Sequence, residues 1–188
     1  MIRKLLVEPP MTAGEAARWT TPEEHADAAT FGSERRRAEF LGWRAMVRRE
    51  LGRAVVIGYN IIGAPVLRGS DLCISVAHCA GRIAVCISPE RCAVDIEPET
   101  RNFSRAESRY MTPSERTLSD DRLWPGIVWC AKEALYKYSG SWALDFAEDL
   151  RIERADLAAG SLTGRIENGE PVELSVRRDD GFIIVYIL

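Results

Sequence analysis

Two stretches of this chain place carboxylates and cations at spacings that can do chemistry. In RCAVDIE, Asp95 and Glu97 stand one residue apart inside an apolar run. As a strand, the run sends Cys92, Val94 and Ile96 to one face and Ala93, Asp95 and Glu97 to the other. Two carboxylates on one face offer the hard oxygen ligands that Mg2+ takes, and they equally suit a solvated strand face. In WCAKEALYKYSG, Glu133 and Lys137 lie four apart, which on a helix is either a stabilising ion pair or part of an active site. His78 ends the segment SVAHC and is one of only two histidines; it reads as a hydrogen-bonded structural residue or as a site group. Arg44 sits among many arginines of one segment, where a solvated helix face is the plain reading. Glu115, three residues after Thr112, has a capping explanation of its own.

These residues need elements to hold them. TPEEHADAATFG carries a cap (Thr21), a proline at the first helical position, a capping-box Glu24 and a terminating Gly32, and predicts a helix. SERRRAEFLGWRAMVRRELG predicts a second helix, with Phe40, Trp43, Val47 and Leu51 at helical spacing, Gly52 at its end and an arginine-rich opposite face. GYNIIGAPVLRGSD is a glycine-containing connection. LCISVA, RIAVCIS and RCAVDIE follow as three closely spaced runs, the pattern of an antiparallel meander. NFSRAESRYMTPSERTLSDD is polar with short helical pieces, and its Thr112, Pro113 and Glu115 repeat the earlier capping box. A helix then runs from Pro125 to Gly140, burying Ile127, Cys130, Ala131, Ala134 and Tyr138. SLTGRIE, PVELSVR and GFIIVYI are strands joined at Asn168-Gly169 and Asp179-Asp180-Gly181. Helices followed by a meander thus occur twice. The order predicts an α+β fold of two similar halves, each a small antiparallel sheet packed with helices, near residues 1–98 and 99–188 of one domain.

Composition narrows the functional classes. A chain of 188 residues with 46% apolar content can bury a sizeable core, which sets disorder aside. Its net charge of -3, from 25 basic and 28 acidic residues, gives no global attraction to nucleic acid or anionic membrane, so any anion site is local. MIRKLLVEPP reads as neither signal peptide nor anchor, and FIIVYIL is too short to span a bilayer; a cytoplasmic protein is expected. The five cysteines, at 73, 79, 86, 92 and 130, are odd in number and lack CxxC spacing, the pattern of buried free thiols.

Taken together, the motifs carry a resemblance. VDIEPE followed by WCAKEALYK resembles the paired signature of the 4'-phosphopantetheinyl transferase superfamily, a G-[IV]-D-x-E strand and a W-x-x-K-E-[AS]-x-x-K helix. GWR at 42–44 resembles the family's arginine-bearing helix, GAPVL its G-K-P loop, SVAHC its S-[IV]-S-H-S segment and MTPSE its segment ending in glutamate. The likeness runs from about residue 35 to 152. It implies transfer of phosphopantetheine from coenzyme A to a serine of an apo acyl, peptidyl or aryl carrier protein, releasing adenosine 3',5'-bisphosphate. By the same resemblance Asp95, Glu97 and Glu133 hold Mg2+ and Glu133 accepts the serine proton. Lys137, with Lys132 as a weaker candidate, meets the pyrophosphate, His78 a coenzyme A phosphate and Arg44 the 3'-phosphate. Coenzyme A and Mg2+ would sit in the cleft between the halves of a monomer, with the arginine-rich helix from Ser33 to Leu51 part of the carrier's docking surface. The chain departs from the pattern where Ala64 replaces the loop lysine, for which Arg68 or Arg53 are the possible substitutes, and where Ala77 and Cys79 replace two serines. Ala93 replaces a glycine. Two other readings stay open: a coenzyme A- or carrier-binding protein without catalysis, and a different Mg2+-dependent phosphodiesterase or nuclease.

Overall fold

In the computed structural model, which describes residues 2–188, the first strand, β1 (Lys4–Glu8), lies in a stretch with no strong sequence signal. A short helix α1 (Ala13–Ala16) leads to α2 (Pro22–Ala29), whose N-terminus is fixed by the Thr21–Glu24 capping box. That helix stops at a Thr30 cap rather than at Gly32. The long helix α3 (Glu34–Leu51) starts on the Ser33 hydroxyl and stops at Gly52. The segment read as a plain connection forms a hairpin instead, β2 (Val56–Tyr59) with β3 (Pro65–Arg68), closed by hydrogen bonds from the Ile62 and Ala64 N–H groups to the Asn60 side chain.

Next come β4 (Cys73–Cys79), β5 (Arg82–Ser88) and β6 (Ala93–Pro98), but they are not one meander. The first sheet has the order β1-β5-β4, so β5 has strands on both edges and β6 has no place beside it. Strand β6 pairs instead with the last strand of the chain. After a 3-10 turn at Ser104–Arg109, a one-turn helix α4 (Pro113–Arg116) and the helix α5 (Trp124–Ser139), four strands follow: β7 (Leu150–Asp156), β8 (Ser161–Ile166), β9 (Pro171–Asp179) and β10 (Phe182–Ile187). They form a five-stranded antiparallel sheet of order β6-β10-β9-β8-β7, with Asp95 opposite Val185 and Glu97 opposite Ile183. Residues 93–98, expected to close the first half, are therefore hydrogen-bonded into the second sheet. Strand β7 was not legible in the sequence.

The fold is α+β, with one long helix on each of the two larger antiparallel sheets. Helix α3 packs Trp43, Met46 and Val47 on Ile83, Val85 and Ile87 of the first sheet. Helix α5 packs Ile127, Ala131, Ala134 and Leu135 on Leu162, Ile183 and Val185 of the second. Both approaches are close: a Cβ on Gly42 would lie 2.6 Å from Ile83 Cδ1, and one on Gly126 would lie 2.7 Å from Ile183 Cδ1, so a larger residue at either position would push the isoleucine aside. The sheets meet where the Val94 N–H donates to Ser75 Oγ at 3.1 Å and where Val94 and Ile96 pack on Ala77, Ala84 and Cys86. All five cysteines are free, and among the described residues no helix is long and apolar enough to cross a membrane.

Candidate active site

Strand β6 keeps the alternation its sequence predicts. Val94 and Ile96 enter the core between the sheets, and Asp95 and Glu97 face helix α5. Asp95 is only 7% exposed. Its Oδ1 accepts from Lys137 Nζ at 2.8 Å, and the same ammonium donates to the Val94 carbonyl at 2.9 Å. Its Oδ2 is buried and completes no hydrogen bond, although the buried Cys130 thiol, a weak donor, lies against this carboxylate. A buried carboxylate oxygen without a partner is rare in folded proteins, because desolvation without replacement bonds is costly. Lys137 thus reaches across to the strand, and the helix-spaced Glu133–Lys137 ion pair does not form.

Glu133 and Glu97 complete an acidic cluster. Burial pushes the Glu133 carboxyl above its usual range, the charges of Asp95 and Glu97 add to the shift, and Lys137 and Arg101 oppose it. Glu97 is likewise raised, first by burial and then by Asp95, against the pull of Arg101, with which it forms an ion pair. The Trp129 indole N–H also favours ionised Glu97, though it completes no hydrogen bond. Three carboxylates therefore share one field with two cations. Oxygen-only donors with one buried oxygen unpartnered fit a hard divalent ion such as Mg2+. Among the described residues, however, no three acidic, histidine or cysteine side chains already form a metal cage.

Strand β4 delivers His78 to the same region. His78 Nδ1 lies 3.2 Å from Glu39 Oε2, and Nε2 faces the Arg36 guanidinium. The network assigns a neutral ring that donates from Nδ1 and accepts at Nε2. Burial accordingly lowers its pKa, and the nearby Glu39 does not restore it. The adjacent Cys79 thiol is pushed up to about 12, mainly by burial and next by Glu97 and Asp95, which ties the end of β4 to the acidic cluster. A cleft of about 270 Å3 opens beside Lys137, walled by Gly63, Ala64 and Pro65 of the β2–β3 loop, Val76 of β4 and Tyr136 of α5.

Two expected phosphate ligands lie elsewhere. Lys132 is wholly buried, and its ammonium meets both oxygens of Glu115, at 2.8 and 2.9 Å, and the Phe146 carbonyl at 2.8 Å. Its three donors are used. Adjacent helical residues diverge by about 100°, so Lys132 faces β7 while Glu133 faces β6. Arg44 is 3% exposed; it donates to the Phe40 carbonyl and to Tyr59 Oη, and its guanidinium stacks 3.4 Å from the Phe40 ring centroid. Arg48 is buried as well, on Glu24, so the arginine-rich helix offers solvent chiefly its first turn, Arg35 to Arg37. Of the substitutes considered for the absent loop lysine, Arg53 is exposed with its guanidinium 5.1 Å from the Trp19 ring centroid, and Arg68 is exposed with its side chain against Gly58. Conversely, Arg36, Glu39, Trp129 and Arg101 belong to the site region without having been singled out. Two of them had a signal: Trp129 is the first residue of the WCAKEALYK motif, and Arg101 is an arginine four residues beyond Glu97.

A buried acidic cluster flanked by Lys137 and Arg101 lies beside an open cleft, and its oxygen donors are of the kind a hard metal ion takes. The family model for the 4'-phosphopantetheinyl transferase superfamily matches residues 91–185, just over half of the chain, and the chain belongs to that superfamily. It is a transferase by family. The matched stretch holds Asp95, Glu97, Glu133 and Lys137; His78, Arg36 and Arg44 lie before it. No curated protein matches the chain.

Proposed function

We propose that this protein transfers the 4'-phosphopantetheine moiety of coenzyme A to a serine of an apo acyl, peptidyl or aryl carrier protein, as a cytoplasmic, monomeric holo-carrier synthase. The observation that carries the reading is the unpartnered Asp95 Oδ2, buried beside Glu97 and Glu133 where Lys137 opens onto the cleft. Asp95, Glu97 and Glu133 are the residues that would hold Mg2+, which would neutralise charge building on the pyrophosphate. The nucleotide end of coenzyme A fits the cleft between the Ala64–Pro65 loop and Tyr136, with the pyrophosphate toward Lys137 and the Arg36–His78 pair.

The serine Oγ forms its bond to the phosphorus that carries pantetheine, and the bond from that phosphorus to the bridging oxygen breaks. The electron pair leaves with adenosine 3',5'-bisphosphate. Glu133 takes the serine proton: burial and the neighbouring carboxylates raise its pKa, which strengthens it as a base. Lys137 keeps Asp95 oriented and supplies positive charge at the phosphate. One chain contributes every group, so a monomer suffices.

The test is mass spectrometry of an apo carrier after incubation with the protein, Mg2+ and coenzyme A. A gain of one phosphopantetheine on the serine, lost with Asp95→Asn and with Glu133→Gln, supports transfer. Binding of carrier or coenzyme A without modification would support the non-catalytic reading, which the missing loop lysine and the committed Arg44 and Lys132 favour. Hydrolysis of phosphodiesters without carrier modification would point to the third reading.

A further inference from the structure

We propose that Arg101 is a resident counter-cation that occupies Glu97 until coenzyme A arrives, so that metal and coenzyme A load cooperatively. The inference rests on reading the carboxylate cluster as the metal site. A tight turn, closed by the Arg101 N–H to the Pro98 carbonyl at 3.0 Å, folds the residues after β6 back on the strand. It brings the guanidinium to Glu97 Oε1, an oxygen a metal would need. Lys137 holds Asp95 Oδ1 in the same manner. With two of three carboxylates engaged by protein cations, the cluster is not gathered as a cage.

The two cations differ in how freely they can leave. Lys137 is anchored on a backbone carbonyl as well as on Asp95. The Arg101 side chain is 42% exposed, while that of Glu97 is 14% exposed. The arginine can therefore swing into solvent, and the Glu97 carboxylate it leaves behind is the poorly solvated partner that a metal would satisfy. While paired with Glu97, its guanidinium lies 5.1 Å from the Trp129 ring centroid and 5.3 Å from that of Phe103. A pyrophosphate is the natural alternative partner, since guanidinium pairs with phosphate through planar, charge-assisted hydrogen bonds. A metal arriving alone must displace Arg101 against the loss of an ion pair. A metal arriving with coenzyme A meets a carboxylate whose arginine has been drawn to the phosphate.

A partly exposed ion pair is worth about a fivefold change in an equilibrium. Mn2+, which takes the same oxygen ligands, reports binding directly by electron paramagnetic resonance of the free ion. Without coenzyme A, Arg101→Gln should bind Mn2+ about fivefold more tightly than wild type, and Arg101→Lys, which keeps the charge, should stay near wild type. Coenzyme A should tighten Mn2+ binding to wild type, after correction for Mn2+ bound by coenzyme A alone, and the tightening should shrink in Arg101→Gln by that same factor. Equal or weaker Mn2+ binding by Arg101→Gln, in a variant with an unchanged melting curve, overturns the counter-cation role and leaves the metal site standing. Failure of both proteins to bind Mn2+ even with coenzyme A removes the metal reading and this inference together.

Discussion

Replacing Lys132 with methionine separates a structural lysine from a substrate ligand. The side chain is 0% exposed, and its partner Glu115 is 3% exposed. Glu115 also accepts from the Thr112 N–H at 2.8 Å, from Thr112 Oγ1 at 3.0 Å and from the Ile152 N–H at 2.8 Å. Lys132→Met removes the one cation and leaves a buried carboxylate with neutral donors only, while the Phe146 carbonyl loses its partner. Breaking a buried ion pair from one side costs about 3–5 kcal/mol. For a chain of this size that lowers the melting temperature by roughly 10 °C. The double variant Glu115→Gln/Lys132→Met removes the stranded charge and should recover part of the loss, an interaction of about 1–3 kcal/mol in a double-mutant cycle. Differential scanning calorimetry measures all three proteins, with coenzyme A affinity read on the folded fraction. A Lys132→Met protein that melts within about 2 °C of wild type yet binds coenzyme A tenfold more weakly would refute this reasoning and return Lys132 to the phosphate.

Glu133→Gln should abolish carrier modification yet stabilise the fold by about 1 kcal/mol at neutral pH. Burial and Asp95 raise the Glu133 pKa above 4.5 in the folded chain, so its protonated form supports folding below the unfolded value and that support is lost as pH rises through the folded value. Denaturation at neutral and acid pH should therefore show the variant's advantage vanish on the acid side. In wild type, the rate of carrier modification should fall toward acid pH as Glu133 is protonated. Ala64→Lys restores a cation on the cleft wall and should lower the KM for coenzyme A about fivefold with kcat unchanged; an unchanged KM would show that the loop does not approach a phosphate.

What the sequence made legible followed local rules. The period of two in RCAVDIE gave the face that Asp95 and Glu97 share, and the pattern from Pro125 to Gly140 gave helix α5, ended by Gly140 in a left-handed conformation at φ 69. Nothing local said that β5 already has β1 on its free edge, and that neighbour is what sends β6 to the other sheet. The roles of Lys132 and Glu133 were equally out of reach, because the helix directs neighbouring residues to different sides and only the tertiary fold says which side meets the cleft. The solvated-face reading of Arg44 failed because a run of arginines looks solvated when the cover supplied by α2 is not visible.

Two of the three capping boxes, those other than Thr12–Glu15, show how a local signal can conceal a long-range one. TPEE at 21–24 and TPSE at 112–115 both start helices, and each glutamate satisfies its cap by accepting the threonine N–H, at 3.0 Å for Glu24 and 2.8 Å for Glu115. Each also grips a buried cation on the long helix that follows. Glu24 takes Arg48, with Arg44 beside it, on α3; Glu115 takes Lys132 on α5. A capping carboxylate is fixed in place by its backbone bonds and so is preorganised to receive a cation, which lowers the entropy lost in forming the buried pair. The motif is thus a helix start and a clamp between helices at once, and it occurs once against each sheet. Two halves of unequal sheet size use the same device to orient their long helices. In the second half, the clamp on Lys132 fixes the rotation of α5 that turns Glu133 toward Asp95 and Glu97.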